Sequence, residues 1–241
     1  MDWTDEGIVL SARRHGENAL IVNLLTREHG RHAGLVRSGA SARNRGLYQP
    51  GNCLAASWRG RLSEHLGNFS CELQRAWAAP LLHEPLPLLA LSAATAVLDS
   101  ALPERAPVPG LFESLEGLIS VLGEPGWQET YIRWELALLA ELGFGLDLTS
   151  CAATGETVEL IYVSPKSGRA VSAAAGKVYR DRLLALPGFL LGQETKGRAE
   201  DVSAGIKLTG YFLAKYVLGD TRNGLPAARQ RLADGFLKAS T

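Results

Sequence analysis

An arginine-rich stretch between residues 36 and 46 is the first feature of the sequence that could perform chemistry. It reads VRSGASARNRG and contains Arg37, Arg43 and Arg45 without any acidic residue. A guanidinium group is planar and permanently charged, so it can make paired hydrogen bonds to phosphate and can stack on bases. The glycine and serine residues leave the backbone adaptable. A solvated surface loop explains the same composition, and both interpretations remain open here.

Further arginines lie near this stretch in the sequence. Arg31 precedes the third predicted strand, and Arg59 and Arg61 lie at a later turn. Residues 27–61 contain seven arginines and one acidic residue, Glu28. A cationic patch of this kind contacts the backbone of a nucleic acid and tolerates many base sequences. The predicted nucleic-acid-binding residues are Arg31, Arg37, Arg43, Arg45, Arg59 and Arg61.

The charges of the chain are unevenly distributed, although the formal net charge is zero. Residues 1–75 carry ten basic and seven acidic side chains, residues 76–176 carry four and twelve, and residues 177–241 carry eleven and six. Segregated charge can give a neutral protein a cationic face. Aromatic side chains that could stack on bases are sparse in the cationic region. Tyr48 lies beside the loop, and Trp58 could equally belong to the core.

Catalytic and nucleotide-binding motifs are incomplete or absent in the sequence. The segment AAAGKV (173–178) lacks the hydroxyl residue that follows the lysine of a phosphate-binding loop, and LGFGLD (142–147) lacks the third glycine of a dinucleotide motif. His29 and His32 flank a predicted turn, so we expect them to be exposed. The paired carboxylates of the central helices are interpreted as a solvated face. We therefore expect neither enzymatic activity nor a cofactor, with an unrecognised enzyme as an alternative.

The segment 151–176, CAATGETVELIYVSPKSGRAVSAAAG, has the layout of a zinc ribbon. A tight knuckle, a short hairpin and a second knuckle near Ser172 follow one another. A structural zinc ion needs four ligands, usually from two C-x-x-C pairs, and only Cys151 is present. The sequence predicts a β-hairpin without a metal, inserted between helices at about 147–176.

Five short strands are predicted within the first 77 residues, because apolar and β-branched runs are separated by turn residues. They are GIVLSA (7–12), NALIVNLLT (18–26), HAGLVR (32–37), NCLAASWRG (52–60) and GNFSCELQRAW (67–77). A closed barrel would remove the unpaired edges of so small a sheet. The long loop between the third and fourth strands favours an OB-type barrel. A small sandwich or an SH3-like barrel remains possible.

Helical patterns follow the proline-rich link AAPLLHEPLPLL (78–89). The predicted helices cover 87–102, 110–123, 127–145, 205–219 and 225–238. The predicted fold class is therefore α+β, with an N-terminal five-stranded OB-type β-barrel domain at 1–78. An α-helical domain with a degenerate zinc-ribbon-like insert follows at 79–241.

No apolar run is long enough to span a membrane, and the acidic start MDWTDE differs from a signal peptide. Three widely spaced cysteines, Cys53, Cys71 and Cys151, do not form a disulfide framework. These features predict a protein of the reducing cytoplasm.

Several motifs together resemble those of the RecO family of bacterial recombination mediators. They are GIVLSARRHGENALIVNLLTREHGRHAGLVRSGA at the start, QPGN at 49–52, IRWELALLAELGFGLDL at 132–148 and the YVSPKSGR of the insert. The resemblance covers nearly the whole chain, with the motifs in the family's order and spacing. Some members carry a four-cysteine zinc site in the insert. This sequence has Thr154 in place of the second cysteine and lacks the second pair, so zinc is not expected.

The resemblance implies a DNA repair protein that binds single- and double-stranded DNA and anneals complementary strands. It also implies help in loading RecA onto strands coated by single-strand-binding protein, with RecR and the acidic C-terminal tail of single-strand-binding protein as partners. Such a protein would be cytoplasmic and associated with the nucleoid. The candidate residues for binding the acidic tail are Arg133, Lys207, Tyr211 and Lys215. An RNA-binding protein remains an alternative, because OB folds bind both nucleic acids.

Overall fold

The protein is a mixed α+β protein in which a five-stranded sheet precedes a series of helices. A computed structural model describes residues 1–62, 64–193, 199–219 and 224–238. The chain divides into two compact units. The first contains Met1–Gly123 with Pro226–Arg229, and the second contains Glu124–Leu225 with Gln230–Thr241. Within the described residues, no helix is both long and apolar enough to cross a membrane.

All five predicted strands are present and belong to one sheet. They are β1 (Asp2–His15), β2 (Ala19–Thr26), β3 (Gly30–Val36), β4 (Cys53–Arg59) and β5 (Asn68–Arg75). The strand order β1-β2-β3-β5-β4 returns to β1, so the sheet closes on itself. Strand β1 begins five residues before the predicted start, because its first half pairs with β4 while its second half pairs with β2. The junction of β3 with β5 is parallel and contains one pair, Leu35 with Asn68.

Alternation of side chains along the strands separates the core of the sheet from its outer surface. Trp58 and Phe69 lie opposite each other on β4 and β5, and both are buried. Val9, Val22 and Leu24 complete the same cluster from β1 and β2. The residues on either side of Trp58 and Phe69 in the sequence are exposed, because successive side chains of a strand point to opposite faces.

Three helices accompany the sheet in the first unit: α1 (Ala78–Leu81), α2 (Pro85–Ala101) and α3 (Leu111–Val121). Proline occupies the first turn of α2, where no backbone N–H is needed. The small residues Ala90, Ala93 and Ala94 are fully buried along this helix. A Cβ atom at Gly51 would lie 2.6 Å from the Leu91 side chain, so glycine permits the loop before β4 to approach α2 closely.

The second unit combines helices with a small sheet. Its elements are α4 (Trp127–Glu141), β6 (Leu160–Val163), β7 (Ala170–Ser172), α5 (Ala173–Gly176), β8 (Leu184–Ala185), α6 (Ala199–Phe212) and most of α7 (Ala227–Lys238). The predicted helices are confirmed, although α6 begins six residues early and continues as a π-helix over Leu213–Val217. The predicted hairpin is confirmed as β6 and β7, and β8 adds a third strand beside β6.

One carboxylate of the second unit departs from the expected solvated face. Glu135 on α4 is completely buried. Its Oε2 atom accepts a hydrogen bond of 2.5 Å from the Thr209 hydroxyl on α6. The sequence pattern missed this contact because the partner lies 74 residues away.

The expectation that His29 and His32 are exposed is wrong. His32 points into the first unit and is 3% exposed, at 4.9 Å from the Trp58 ring and 5.1 Å from the Trp3 ring between centroids. His29 is partly buried, stacks on Trp3 at 4.1 Å, and contacts the Asp5 carboxylate through Nδ1 at 3.1 Å. Both histidines therefore belong to an aromatic cluster, because His32 on β3 and His29 in the turn before it both pack against Trp3 of β1.

Burial lowers the pKa of His32 to about 4, with smaller contributions from the charges of Arg105 and His29. The unfolded chain then binds more protons than the folded protein between about pH 4 and the ordinary value of about 6.5. We expect the stabilisation from neutral His32 to be complete above pH 6.5 and to be lost as the pH falls towards 4. The two pKa values differ enough for a change of roughly 3 kcal/mol in the free energy of unfolding.

Denaturant unfolding of wild type and His32→Phe across this pH range tests the expectation. His32→Phe keeps an aromatic ring but cannot be protonated, so its stability should vary much less between pH 4 and 6.5. His15→Phe, at an exposed histidine, is the matched control and should keep the wild-type profile. Identical pH profiles for wild type and His32→Phe would contradict the assignment.

Candidate nucleic-acid interface

The cationic loop between β3 and β4 is an ordered series of turns. Asn44 Nδ2 donates to the Ser38 carbonyl at 3.1 Å, and Asn52 Nδ2 donates to the carbonyls of Gly46 and Leu47 at 2.9 and 3.2 Å. Tyr48 is buried in the core of the sheet, which anchors the end of the loop. The loop is therefore held more firmly than its glycine and serine content suggests.

Arg43 and Arg45 are exposed on this ordered loop, as a phosphate-binding role requires. Arg37, at the start of the loop, is also exposed, and its Nε lies 3.4 Å from the Asn68 side-chain oxygen on β5. Within the described residues, none of these three arginines forms a salt bridge. Their charges therefore face solvent without a neutralising carboxylate.

Three of the predicted arginines meet in one surface groove, which we call the arginine groove. Arg37, Arg59 and Arg61 line it together with His65 and Asn68, and its cavity volume is about 530 Å³. The groove lies at the junction of β3 with β5, because Leu35 and Asn68 are both among its lining residues. Closure of the sheet thus brings together cationic residues that are up to 24 positions apart in the sequence.

Arg59 has an acidic neighbour, but both partners are largely exposed. Its Nη2 lies 3.6 Å from the Asp2 carboxylate, with side-chain exposures of 83% and 70%. An exposed pair at this distance contributes little stability and is weakened by salt. Arg59 can therefore exchange Asp2 for another anion at small cost.

Arg31 differs from the other predicted residues, because its guanidinium already has partners. Its Nε donates to the Leu102 carbonyl at 2.8 Å, and its Nη atoms lie 3.5 Å from Asp99 and 3.7 Å from Glu104. The Arg31 side chain is only 15% exposed. These contacts favour a role in attaching the segment after α2 to β3.

Trp58 fixes the turn that carries Arg61. Its indole N–H donates to the Leu66 carbonyl at 3.0 Å, so the ring holds the loop between β4 and β5. A Cβ atom would lie 2.4 Å from the ring at both Gly60 and Gly67. Gly67 also has a φ of +61°, which side-chain-bearing residues rarely adopt. The sequence left open whether Trp58 stacks on bases, and the structure places it in the core.

The candidate partner-binding residues of the second unit fall into two groups. Lys207, Tyr211 and Lys215 are exposed and spaced by four, so they follow one face of α6 and its continuation. The Lys215 amine lies 5.9 Å from the Tyr211 ring and donates to the Pro165 carbonyl at 2.6 Å. Arg133 on α4 instead stacks over Phe189 at 5.2 Å and contacts Glu129.

The insert makes a tight turn at Cys151, where the Gly155 amide donates to the Cys151 carbonyl at 2.9 Å. The buried Cys151 sulfur accepts a hydrogen bond from the Ser172 backbone N–H at 3.3 Å. Burial raises the pKa of this thiol, but hydrogen bonds from Ser172 and Thr154 outweigh that effect and bring the pKa to about 6. Among the described residues, no group of three histidine, cysteine or acidic side chains could hold a metal ion.

Comparison with known proteins identifies the family. Residues 1–75 match the model of the recombination protein O N-terminal domain, and residues 83–224 match that of the C-terminal domain. The chain is 55% identical to the DNA repair protein RecO of Rhodospirillum centenum, over all of this chain and 97% of that protein. It is 47% identical to the DNA repair protein RecO of Rhodospirillum rubrum, over 97% of this chain and 96% of that protein.

These matches extend over nearly the whole chain, and they identify this α+β protein with a cationic groove as a DNA repair protein. The chain belongs to the RecO family.

Replacement of Gly67 by alanine tests whether Trp58 positions the loop. Gly67→Ala should lower the free energy of unfolding by roughly 3 kcal/mol, because it combines an unfavourable φ with an overlap with the indole ring. Gly16→Ala is the matched control, since Gly16 has a φ of +64° but no atom within 4 Å of an added Cβ. The control should cost roughly 1 kcal/mol. Equal losses in urea unfolding would show that Trp58 does not restrict Gly67.

Proposed function

We propose that this protein binds single- and double-stranded DNA through the arginine groove and the arginines of the adjoining loop. The observation that carries this proposal is the meeting of Arg37, Arg59 and Arg61 around one groove. Membership of a DNA repair family supports DNA as the ligand. Contacts from arginine to phosphate are largely independent of base sequence, as a general repair protein needs.

The reaction that fits such a surface is annealing of complementary strands. Two strands repel each other through their phosphates, and arginine side chains reduce that repulsion by replacing condensed counterions. No covalent bond forms or breaks in this step, so no catalytic group is needed. The protein acts as a mediator that brings strands together and helps to load RecA onto DNA coated by single-strand-binding protein, with RecR as a partner.

The closed sheet is, in this proposal, an OB-type barrel, and the strand order and the long loop before β4 support that assignment. The proposed domains are 1–78 and 79–241. The insert is a degenerate zinc ribbon in which Cys151, Thr154 and Ser172 interact without a metal, a proposal supported by the hydrogen bond from Ser172 to Cys151. The protein acts in the cytoplasm, on the DNA of the nucleoid.

The proposed site for the acidic tail of single-strand-binding protein is the face formed by Lys207, Tyr211 and Lys215. Two ammonium groups flank an aromatic ring that is 40% exposed, which suits a peptide that carries both acidic and apolar side chains. Arg133 is less suitable, since its guanidinium already contacts Glu129 and the Phe189 carbonyl.

Salt dependence of single-strand binding tests the arginine groove. For the double variant Arg37→Ala with Arg61→Ala, the plot of log affinity against log salt concentration should become flatter, by about 0.7 for each arginine that binds a phosphate in the wild type. Arg31→Ala is the control, because Arg31 is already paired with Asp99 and Glu104. That variant should keep the wild-type slope. An unchanged slope in the double variant would contradict the proposed site, and preferential binding of RNA of equal length would contradict DNA as the ligand.

Annealing on coated strands tests the partner site. Lys207→Glu with Lys215→Glu should slow annealing of strands covered by intact single-strand-binding protein, while annealing of bare strands should be unchanged. Coating with single-strand-binding protein that lacks its last residues should abolish the difference between variant and wild type. Arg133→Glu serves as the comparison and should behave as wild type. A slower reaction on bare strands would contradict a separate partner site.

A further inference from the structure

The outer surface of β1, β4 and β5 presents two rows of exposed polar side chains next to the arginine groove. Arg59 lies opposite Asp2 on β1 and Asn68 on β5, and two residues earlier Ser57 lies opposite Thr4 and Ser70. All six side chains are exposed, whereas Trp58 between the two rows is buried. Thr4, Ser57 and Ser70 therefore form a row of hydroxyl groups across three strands, which we call the hydroxyl row.

The hydroxyl row and the arginine groove are continuous. A second depression, with a volume of about 480 Å³, is lined by both polar rows and by the partly exposed Trp3. Arg59 and Asn68 line this depression and also line the arginine groove. A polymer that enters the groove past Arg37 and Arg61 would reach the hydroxyl row without leaving the surface.

The chemistry of the hydroxyl row suits a phosphate backbone. Serine and threonine hydroxyls commonly donate to phosphate oxygens, and their small side chains leave room for the backbone to lie against the strand. Thr4 Oγ1 and Ser57 Oγ share a hydrogen bond of 3.1 Å in which either can donate, so one hydroxyl proton stays free for a phosphate oxygen while that bond is kept, and both become free if the phosphate replaces it. The next outward positions are Glu6 and Glu72, on either side of Ala55; Glu6 already pairs with Arg27, and neither carboxylate can donate a hydrogen bond to a phosphate. The favourable surface thus has a defined end.

The face of the sheet formed by β2 and β3 is an alternative binding surface for the strand, but it is partly covered. OB-type barrels commonly bind oligonucleotides on the face formed by their second and third strands. In this protein Asp99 and Glu104 attach to Arg31 on β3, and they line a cavity together with Ile21 and Asn23 of β2. Arg13, Arg31 and Arg105 line the same cavity as Glu64, Asp99 and Glu104, so its charges balance and it lacks the unopposed cationic charge of the arginine groove.

We propose that one strand of single-stranded DNA runs from the arginine groove across the hydroxyl row. Arg59 and Asn68 form the junction, and Thr4, Ser57 and Ser70 donate to the phosphates beyond it. An unpaired base can pack against the partly exposed Trp3, whereas the bases of a duplex are held within its stack. This inference rests on the proposed function and adds the path of the strand, three hydroxyl donors and the base contact at Trp3.

Charge substitutions at Ser57 test the path in both directions. With a fluorescent oligothymidylate as the probe, Ser57→Glu should weaken binding by about fivefold at low salt, and Ser57→Lys should strengthen it by about the same factor. The lysine variant should also steepen the salt dependence by about 0.7. Ser120→Glu and Ser120→Lys are the matched controls, at an exposed serine on α3 that lines neither the arginine groove nor the second depression. Thermal unfolding establishes that each variant is folded.

The possible results separate this inference from the proposed function. Ser57 variants that behave like the Ser120 variants, while Arg37→Ala with Arg61→Ala flattens the salt dependence, would overturn the path and leave the arginine groove intact. Equal effects of Ser57→Glu on oligothymidylate and on a duplex of the same length would overturn the assignment to a single strand. Absence of salt-dependent binding in the wild-type protein would overturn the proposed function, and this inference with it.

Discussion

The contact between the Trp58 indole and the loop that follows β4 is the interaction on which the candidate interface depends. The ring fills the core, and its N–H group ties the Leu66 carbonyl to the sheet at 3.0 Å. Gly60 and Gly67 are compatible with the ring only because they lack side chains. Both ends of the connection between β4 and β5, at Gly60 and Gly67, consequently lie against the ring. Arg59 and Arg61 stay at the edge of the sheet, where Arg37 arrives from β3.

Pairing with carboxylates distinguishes the arginines of the first unit from one another. Arg27 pairs with Glu6 and Glu113, Arg31 with Asp99 and Glu104, and Arg75 with Glu116. Most of these carboxylates belong to α2, α3 or the segment between them. The acidic residues of the middle of the chain thus pair with some of the arginines of the sheet. In the part of the chain that the structure describes, they do not pair with the arginines of the arginine groove. The formal net charge does not reveal which arginines are paired, because basic and acidic side chains are present in equal number.

Most of the secondary structure could be predicted from local sequence patterns, but the composition of the site could not. The strands and helices follow from alternation, from apolar stripes and from the glycines and prolines that separate them. The early start of β1 was missed because its first residues pair with β4, about 50 positions away. Arg31 resembles the other arginines in the sequence, yet its acidic partners are 68 and 73 positions away. His32 was misassigned because only the folded sheet places aromatic rings around it. Exposed serines such as Ser57 carry no local signal at all, and their alignment with Thr4 and Ser70 depends on the register of three strands.

The sheet closes through a single residue pair between β3 and β5, so this junction is the weakest of the closed sheet. The other junctions of the circuit contain seven or eight paired positions, whereas this one contains Leu35 with Asn68 and a hydrogen bond from the Leu35 amide to the Gly67 carbonyl. Small separations of strands cost least where the ladder is shortest, so the closed sheet is most compliant at this junction. The arginine groove lies over the same backbone atoms. Opening of the junction between β3 and β5 would therefore also change the width of the groove. Hydrogen exchange of the Leu35 amide would report how often the junction opens.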